Sequence, residues 1–142
     1  MGKKIKSILL VDDDRDDQML FKEALSEADG TVLCMSALSG SEALEKLISG
    51  VMAIPDIIFM DVNMPRMNGL DCLKELMKIE LLRPVPVIMY STSCSPAYQR
   101  ECLANGAAHY IEKPNDFSAL CLQIKALLTS GTVPAKNSEP AL

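Results

Sequence analysis

Four short clusters of this sequence carry residues able to do chemistry together: Asp12, Asp13 and Asp14 in VDDD, Asp61 in FMDVNMPRMNG, Ser91 and Thr92 in VIMYSTS, and Lys113 in YIEKPN. Carboxylates gathered within a few ångströms repel by several kcal/mol at intermediate dielectric, so such a group either protonates or holds a divalent cation. Oxygen ligands of this kind suit a hard ion, Mg²⁺ before Zn²⁺. A carboxylate flanked by that cation, a hydroxyl and an ammonium is equipped to receive a phosphoryl group, whose oxygens those groups neutralise and orient.

Residues so far apart in the chain meet only if regular elements bring them together. Ile5 to Val11 is a short, nearly continuous apolar run that stops at Asp12, the pattern of a buried parallel strand ending at a functional edge. A helix follows over Asp14 to Ala28, read with Met19, Leu20, Glu23 and Ala24 on one face and Asp16, Asp17, Lys22 and Glu27 on the other, and closed by Asp29-Gly30. Strands are expected again over Thr31 to Ser36, Asp56 to Met60, Val85 to Tyr90 and Ala108 to Ile111. Between them lie a helix opened by a Ser39 to Glu42 capping box and running to Gly50, a helix over 66–80, one starting at Pro96 and stopping at Asn105-Gly106, and a last one over Asp116 to Leu128. Alternation of this kind specifies an α/β fold with a parallel sheet covered on both faces, in which the site lies beyond the carboxyl ends of the strands. Every chemical residue named above falls just after a strand.

The motifs ILLVDDD, IIFMDVNMPRMNG, VIMYSTS and GAAHYIEKPN, in this order and spacing from about Lys4 to Thr129, resemble the receiver domain of bacterial two-component response regulators, and the stand-alone chemotaxis regulators among them. The resemblance implies a single doubly wound, flavodoxin-like sheet in the strand order 2-1-3-4-5. It implies Asp61 as the phosphoacceptor, with Asp12, Asp13, Asp61 and the backbone carbonyl of Asn63 holding Mg²⁺, and Asp13 the more direct ligand of the acidic pair. Ser91 matches the hydroxyl that swings to the phosphoryl oxygen, Tyr110 the aromatic whose rotamer follows it, and Lys113 the phosphate partner. A cis bond between Lys113 and Pro114 is implied as well, which proline permits at modest cost. The activity implied is a switch that catalyses its own phosphorylation and slow dephosphorylation rather than a turnover enzyme. Its partners would be a sensor histidine kinase or phosphotransfer protein upstream and an unidentified protein downstream; homodimerisation stays open.

This chain departs from the family pattern in small ways. Ser91 stands where threonine is common and lacks the methyl group that stiffens χ1, so a less sharply two-state switch is expected. Thr92 follows where a smaller residue is usual, narrowing access to Asp61. Asp14 adds a third acid whose simplest role is to cap the first helix.

Composition fits this reading and excludes others. The chain has 142 residues, 49% of them hydrophobic, enough apolar material for one buried core; a receiver over 4–129 and a flexible tail over 130–142, poor in periodic apolar residues, account for its length. A net charge of -5 with no basic cluster beyond Lys3, Lys4 and Lys6 argues against nucleic-acid binding. The first apolar run is too short for a signal peptide or a membrane span, and Cys34, Cys72, Cys94, Cys102 and Cys121 form no CxxC pair, so a cytoplasmic protein with reduced thiols is expected. His109 has no ligand partner at metal spacing, and the methionines read as core filling. Two rivals stay open. One is an aspartyl-phosphate phosphatase using the Asp12, Asp14 pair, for which the chain holds no residues to build a substrate cap; the other is a pseudo-receiver that binds partners without phosphate.

Overall fold

The computed structural model describes residues 4–92 and 95–129; the tail expected over 130–142, Lys3 and Cys94 lie outside the described residues. In chain order the strands are β1 (Ser7–Val11), β2 (Leu33–Ala37), β3 (Ile57–Asp61), β4 (Val87–Ser91) and β5 (His109–Glu112), and the helices α1 (Arg15–Ala28), α2 (Gly40–Ser49), α3 (Gly69–Met77), α4 (Pro96–Ala104) and α5 (Phe117–Thr129). The strands form one parallel sheet in the order β2-β1-β3-β4-β5. This is the doubly wound α/β architecture that the alternating pattern specifies.

Central strands bury both faces, which is why β1, β3 and β4 read as continuous apolar runs rather than as alternating ones. The edge strands carry the exposed residues: Leu33 on β2, His109 and Glu112 on β5. Asp56, just before β3, accepts the backbone N–H groups of Lys6 (2.7 Å) and Ser7 (3.1 Å) and so ties the entries of β1 and β3 together.

Each helix start has a polar cap. Asp14 caps α1, Ser39 α2, Asn68 α3 and Ser95 α4, the last followed by Pro96 at the first helical position. In the expected capping box Ser39 accepts from Glu42 N–H at 3.0 Å, but Glu42 reaches back to Leu38 N–H at 2.8 Å, one residue before the cap. α3 begins at Gly69 and not at 66, because Arg66 takes a left-handed conformation (φ 69°) and Asn68 becomes the cap.

The face assigned to α1 from sequence needs correction. Met19 and Leu20 are 59% and 45% exposed, while Gln18, Phe21, Ala24 and Leu25 are buried. The stripe through positions 18, 21 and 25 is the one that meets the sheet, and it contains a glutamine that a search for apolar residues passes over. α1 and α5 cover one face of the sheet, and α2, α3 and α4 the other. Cys72 and Cys102 are buried and Cys34 and Cys121 half-buried; burial pushes the Cys72 thiol up to about 12 and the Cys34 thiol up to about 11, which leaves both inert.

Candidate functional site

In this strand order the reversal of winding lies between β1 and β3, and the acids stand at their carboxyl ends. Val11 pairs with Met60, so the next step of the register sets Asp12 beside Asp61. Asp61 is the last residue of β3 and 5% exposed; Asp12 is fully buried and Asp13 exposed. Carboxylate oxygens of Asp12, Asp13 and Asp61 lie within 4.8 Å of one another. The donor set is oxygen alone, one acid open to solvent and two beneath it, which fits a hard divalent cation entering from the Asp13 side.

Asp12 is held at every polar group. Its N–H bonds Ala37 O (3.1 Å), its Oδ1 accepts from Asp14 N–H (2.9 Å), and its carbonyl accepts from the side-chain amide of Gln18 (2.8 Å), which also reaches Ala37 O (2.9 Å). Gln18 therefore clamps the ends of β1 and β2 beneath the acid cluster. Asp14 faces away from the cluster: its carboxylate accepts from Asp16 and Asp17 N–H as the α1 cap, so the Asp12, Asp14 pair a phosphatase would use is not assembled.

Lys113 enters from beyond β5, its N–H bonded to Ser91 O at 2.6 Å. The ammonium lies 3.0 Å from Asp12 Oδ2, 3.0 Å from Asp17 Oδ2 and 3.7 Å from Asp61 Oδ2, above the ring of Tyr90 at 5.3 Å. Burial alone would lower the Lys113 pKa, but the hydrogen bonds and charges of Asp12, Asp17 and Asp61 outweigh it and raise the pKa, so the side chain is a permanent cation. For Asp61 burial dominates: with Asp12 adding repulsion and Lys113 opposing it, the carboxyl is pushed up to about 7. An acid this reluctant to ionise gains from any cation placed against it.

Asn63 donates its backbone N–H to Asp61 Oδ1 (3.2 Å) and its side-chain amide to Ser91 Oγ (3.2 Å). Ser91 is fully buried at the end of β4, Thr92 next to it is exposed, and Tyr110 is half-buried on β5. The peptide bond before Pro114 is trans, not cis. The two isomers of such a bond differ by only ~0.5–1 kcal/mol, too little for the local sequence to choose between them. Gly69 closes the loop after β3: a Cβ there would meet Asp61 O at 2.5 Å, so the chain can pass this close to the acid only without a side chain.

The structure thus brings Asp12, Asp13, Asp61, Asn63, Ser91 and Lys113 to one strand edge, with Tyr110 one strand further out. Sequence reasoning missed Asp17 and Gln18 as parts of this site. Gln18 had a signal, a polar residue on the buried stripe three before Phe21; Asp17 had none that separates it from Asp16.

The profile of the response regulator receiver domain matches residues 8–125. The chain belongs to the response regulator receiver domain family. This receiver is 37% identical over 114 residues to the chemotaxis protein CheY of Thermotoga maritima, covering 80% of this chain and 88% of that protein. It is 36% identical over 129 residues to the protein-glutamate methylesterase/protein-glutamine glutaminase of Pyrococcus horikoshii, covering 89% of this chain but only 33% of that enzyme. Its backbone superimposes on the phosphorylated cyanobacterial phytochrome response regulator RcpA with a TM-score of 0.82 at 27% identity, covering 92% of this chain and 99% of that one. Receivers of this family work in two-component signalling as phosphorylation switches and bind Mg²⁺ at an acidic pocket. Among the described residues no helix of this receiver is long and apolar enough to cross a membrane.

Proposed function

We propose that this receiver takes a phosphoryl group on Asp61 from a histidine kinase or phosphotransfer protein and signals through a changed protein-protein contact. The observation that supports it most is the shared cluster: the Asp61 carboxylate stands within metal-sharing distance of Asp12 and Asp13 and 3.7 Å from the Lys113 ammonium. In the transfer an Asp61 Oδ forms the new P–O bond while the donor's P–N or P–O bond breaks, and the leaving group takes the electron pair. Asp12, Asp13, Asp61 and the Asn63 carbonyl would hold Mg²⁺, which when bound neutralises charge on the transferring group. Lys113 supplies a second, fixed positive charge, and Ser91 a hydroxyl donor once it exchanges the Asn63 amide for a phosphoryl oxygen. Tyr110, on the neighbouring strand beside Met89 and so two positions short of Ser91, would carry that movement to the outer face.

Incubation with Mg²⁺ and acetyl phosphate or phosphoramidate tests the assignment by intact mass spectrometry. One added phosphoryl group is expected for the wild type and none for Asp61→Asn. Uptake by the variant would move the acceptor elsewhere.

A further inference from the structure

Lys113 is held by an acid that is no part of the acceptor cluster. Its ammonium hydrogen-bonds Asp12 Oδ2 and Asp17 Oδ2 at 3.0 Å each, while Asp61 Oδ2, at 3.7 Å, is beyond hydrogen-bond distance. Two of its three N–H donors are therefore engaged with Asp12 and Asp17. Asp17 is placed by the helix start: its N–H bonds the Asp14 carboxylate at 3.1 Å, which sets the first turn of α1 over the strand ends. The two acids differ in exposure. The Asp12 side chain is 1% exposed and that of Asp17 38%. A carboxylate as open as Asp17 regains water when its partner leaves, through the cleft it lines with Leu20 and Phe117, whereas Asp12 would be stranded without a counter-charge.

Resting on the reading of Asp61 as the acceptor, we propose that Asp17 is a positioning residue that acts through Lys113. In the resting state it is the counter-ion that holds the ammonium back from Asp61, and it competes for that ammonium with the incoming phosphoryl group. Phosphorylation adds negative charge at Asp61, and Lys113 meets it by turning from Asp17, the partner that gives it up at least cost. Tyr90 beneath the ammonium keeps it at the site through the exchange. Asp17 thus sets how readily the domain is phosphorylated without touching the phosphoryl group itself.

The test compares Asp17→Asn with Asp16→Asn. Both remove one negative charge from the first turn of α1, but Asp16 has an exposed side chain and makes no ion pair with Lys113. Three readouts are taken: the rate of phosphoryl uptake from phosphoramidate at saturating Mg²⁺, the Mg²⁺-dependent affinity for beryllofluoride, and the solvent exchange of the Lys113 ammonium protons by NMR, which needs no phosphorylation. For Asp17→Asn we expect uptake faster by about two- to fivefold, tighter beryllofluoride binding and faster ammonium exchange, with Asp16→Asn like the wild type. Uptake in Asp17→Asn equal to or slower than wild type, or an equal gain in Asp16→Asn, overturns the proposal. A wild type that takes up no phosphoryl group sinks the acceptor reading itself and this role with it, and the ammonium exchange tells the two failures apart by showing whether Asp17 still pairs with Lys113.

Discussion

On the α1/α5 side of the sheet the core is built around Phe21, Phe59 and Tyr90, whose rings meet edge to face at centroid distances of 5.0, 6.0 and 5.7 Å. On the α2/α3/α4 side methionine takes the larger share: Met52, Met60, Met64 and Met89 are buried there, with Met35, Met67 and Met77 packed against them. Strand alternation then assigns the site residues to one side or the other. Asp12 and Asp61 continue the register of Leu10 and Phe59 and stand over the aromatic side, where Tyr90 also carries Lys113. Ser91 continues the register of Met89, and Tyr110 packs against the methionine side. Rings have few rotamers and directional contacts, while methionine is unbranched and adaptable. Asp12 and Asp61, which must keep their geometry, rest on stiff material; Ser91 and Tyr110, proposed to move, rest on material that can repack; and Lys113 turns over a fixed ring.

Adjacent residues of β3 offer the sharpest way to break this contrast. Phe59 and Met60 are 4% and 0% exposed and point to opposite sides. Phe59→Ala should cost about 3–5 kcal/mol in urea unfolding, whereas Met60→Leu should cost less than about 1.5 kcal/mol. A Met60→Leu penalty as large as that of Phe59→Ala would mean that the methionine side is as strictly packed as the aromatic one.

The next effect is electrostatic and belongs to the seam above the aromatic side. The Asp61 pKa is raised from 3.8 to about 7, so between these values the folded state binds more protons than the unfolded one and stability falls as pH rises. The carboxyl costs nothing below the unfolded value and most above pH 7. Asp61→Asn should therefore stabilise the Mg²⁺-free protein by about 2 kcal/mol at pH 8, a gain that fades toward pH 4. Thermal unfolding across this range checks it, and a pH-independent gain would contradict the assigned cause. Added Mg²⁺ should stabilise the wild type more than the variant.

The smallest effect lies in the loop from β3 to α3. Arg66, at φ 69°, holds a left-handed conformation that costs a residue with a Cβ about 1–2 kcal/mol. Arg66→Gly removes that cost, less the entropy glycine brings to the unfolded chain, for a net gain of about 0.5–1 kcal/mol in thermal unfolding. A loss would show that the arginine side chain contributes more than its backbone costs.

Much of the fold and site was legible because the information is local. A continuous apolar run ending in an acid marks a buried strand and its functional end, as at Val11-Asp12 and Met60-Asp61, and Ser39 by its capping chemistry and Pro96 by its place at the first helical position mark helix starts. Strand order followed from resemblance to the receiver family, not from these patterns.

What only the tertiary structure decided are matters of partnership across the chain. Asp16 and Asp17 are the same residue type in the same turn, and only a lysine 96 positions away distinguishes them. Gln18 is polar on a buried stripe, and its place makes sense only once Asp12 O and Ala37 O meet above it. Met19 and Leu20 face water because the stripe through Phe21 meets the sheet. The sequence by itself determined which residues could do chemistry and at which strand ends they would stand, since strand and helix periods act over a few residues. It left open which acid pairs with Lys113 and which residues of α1 go inside, because those choices arise only when distant elements pack and compete for the same partners.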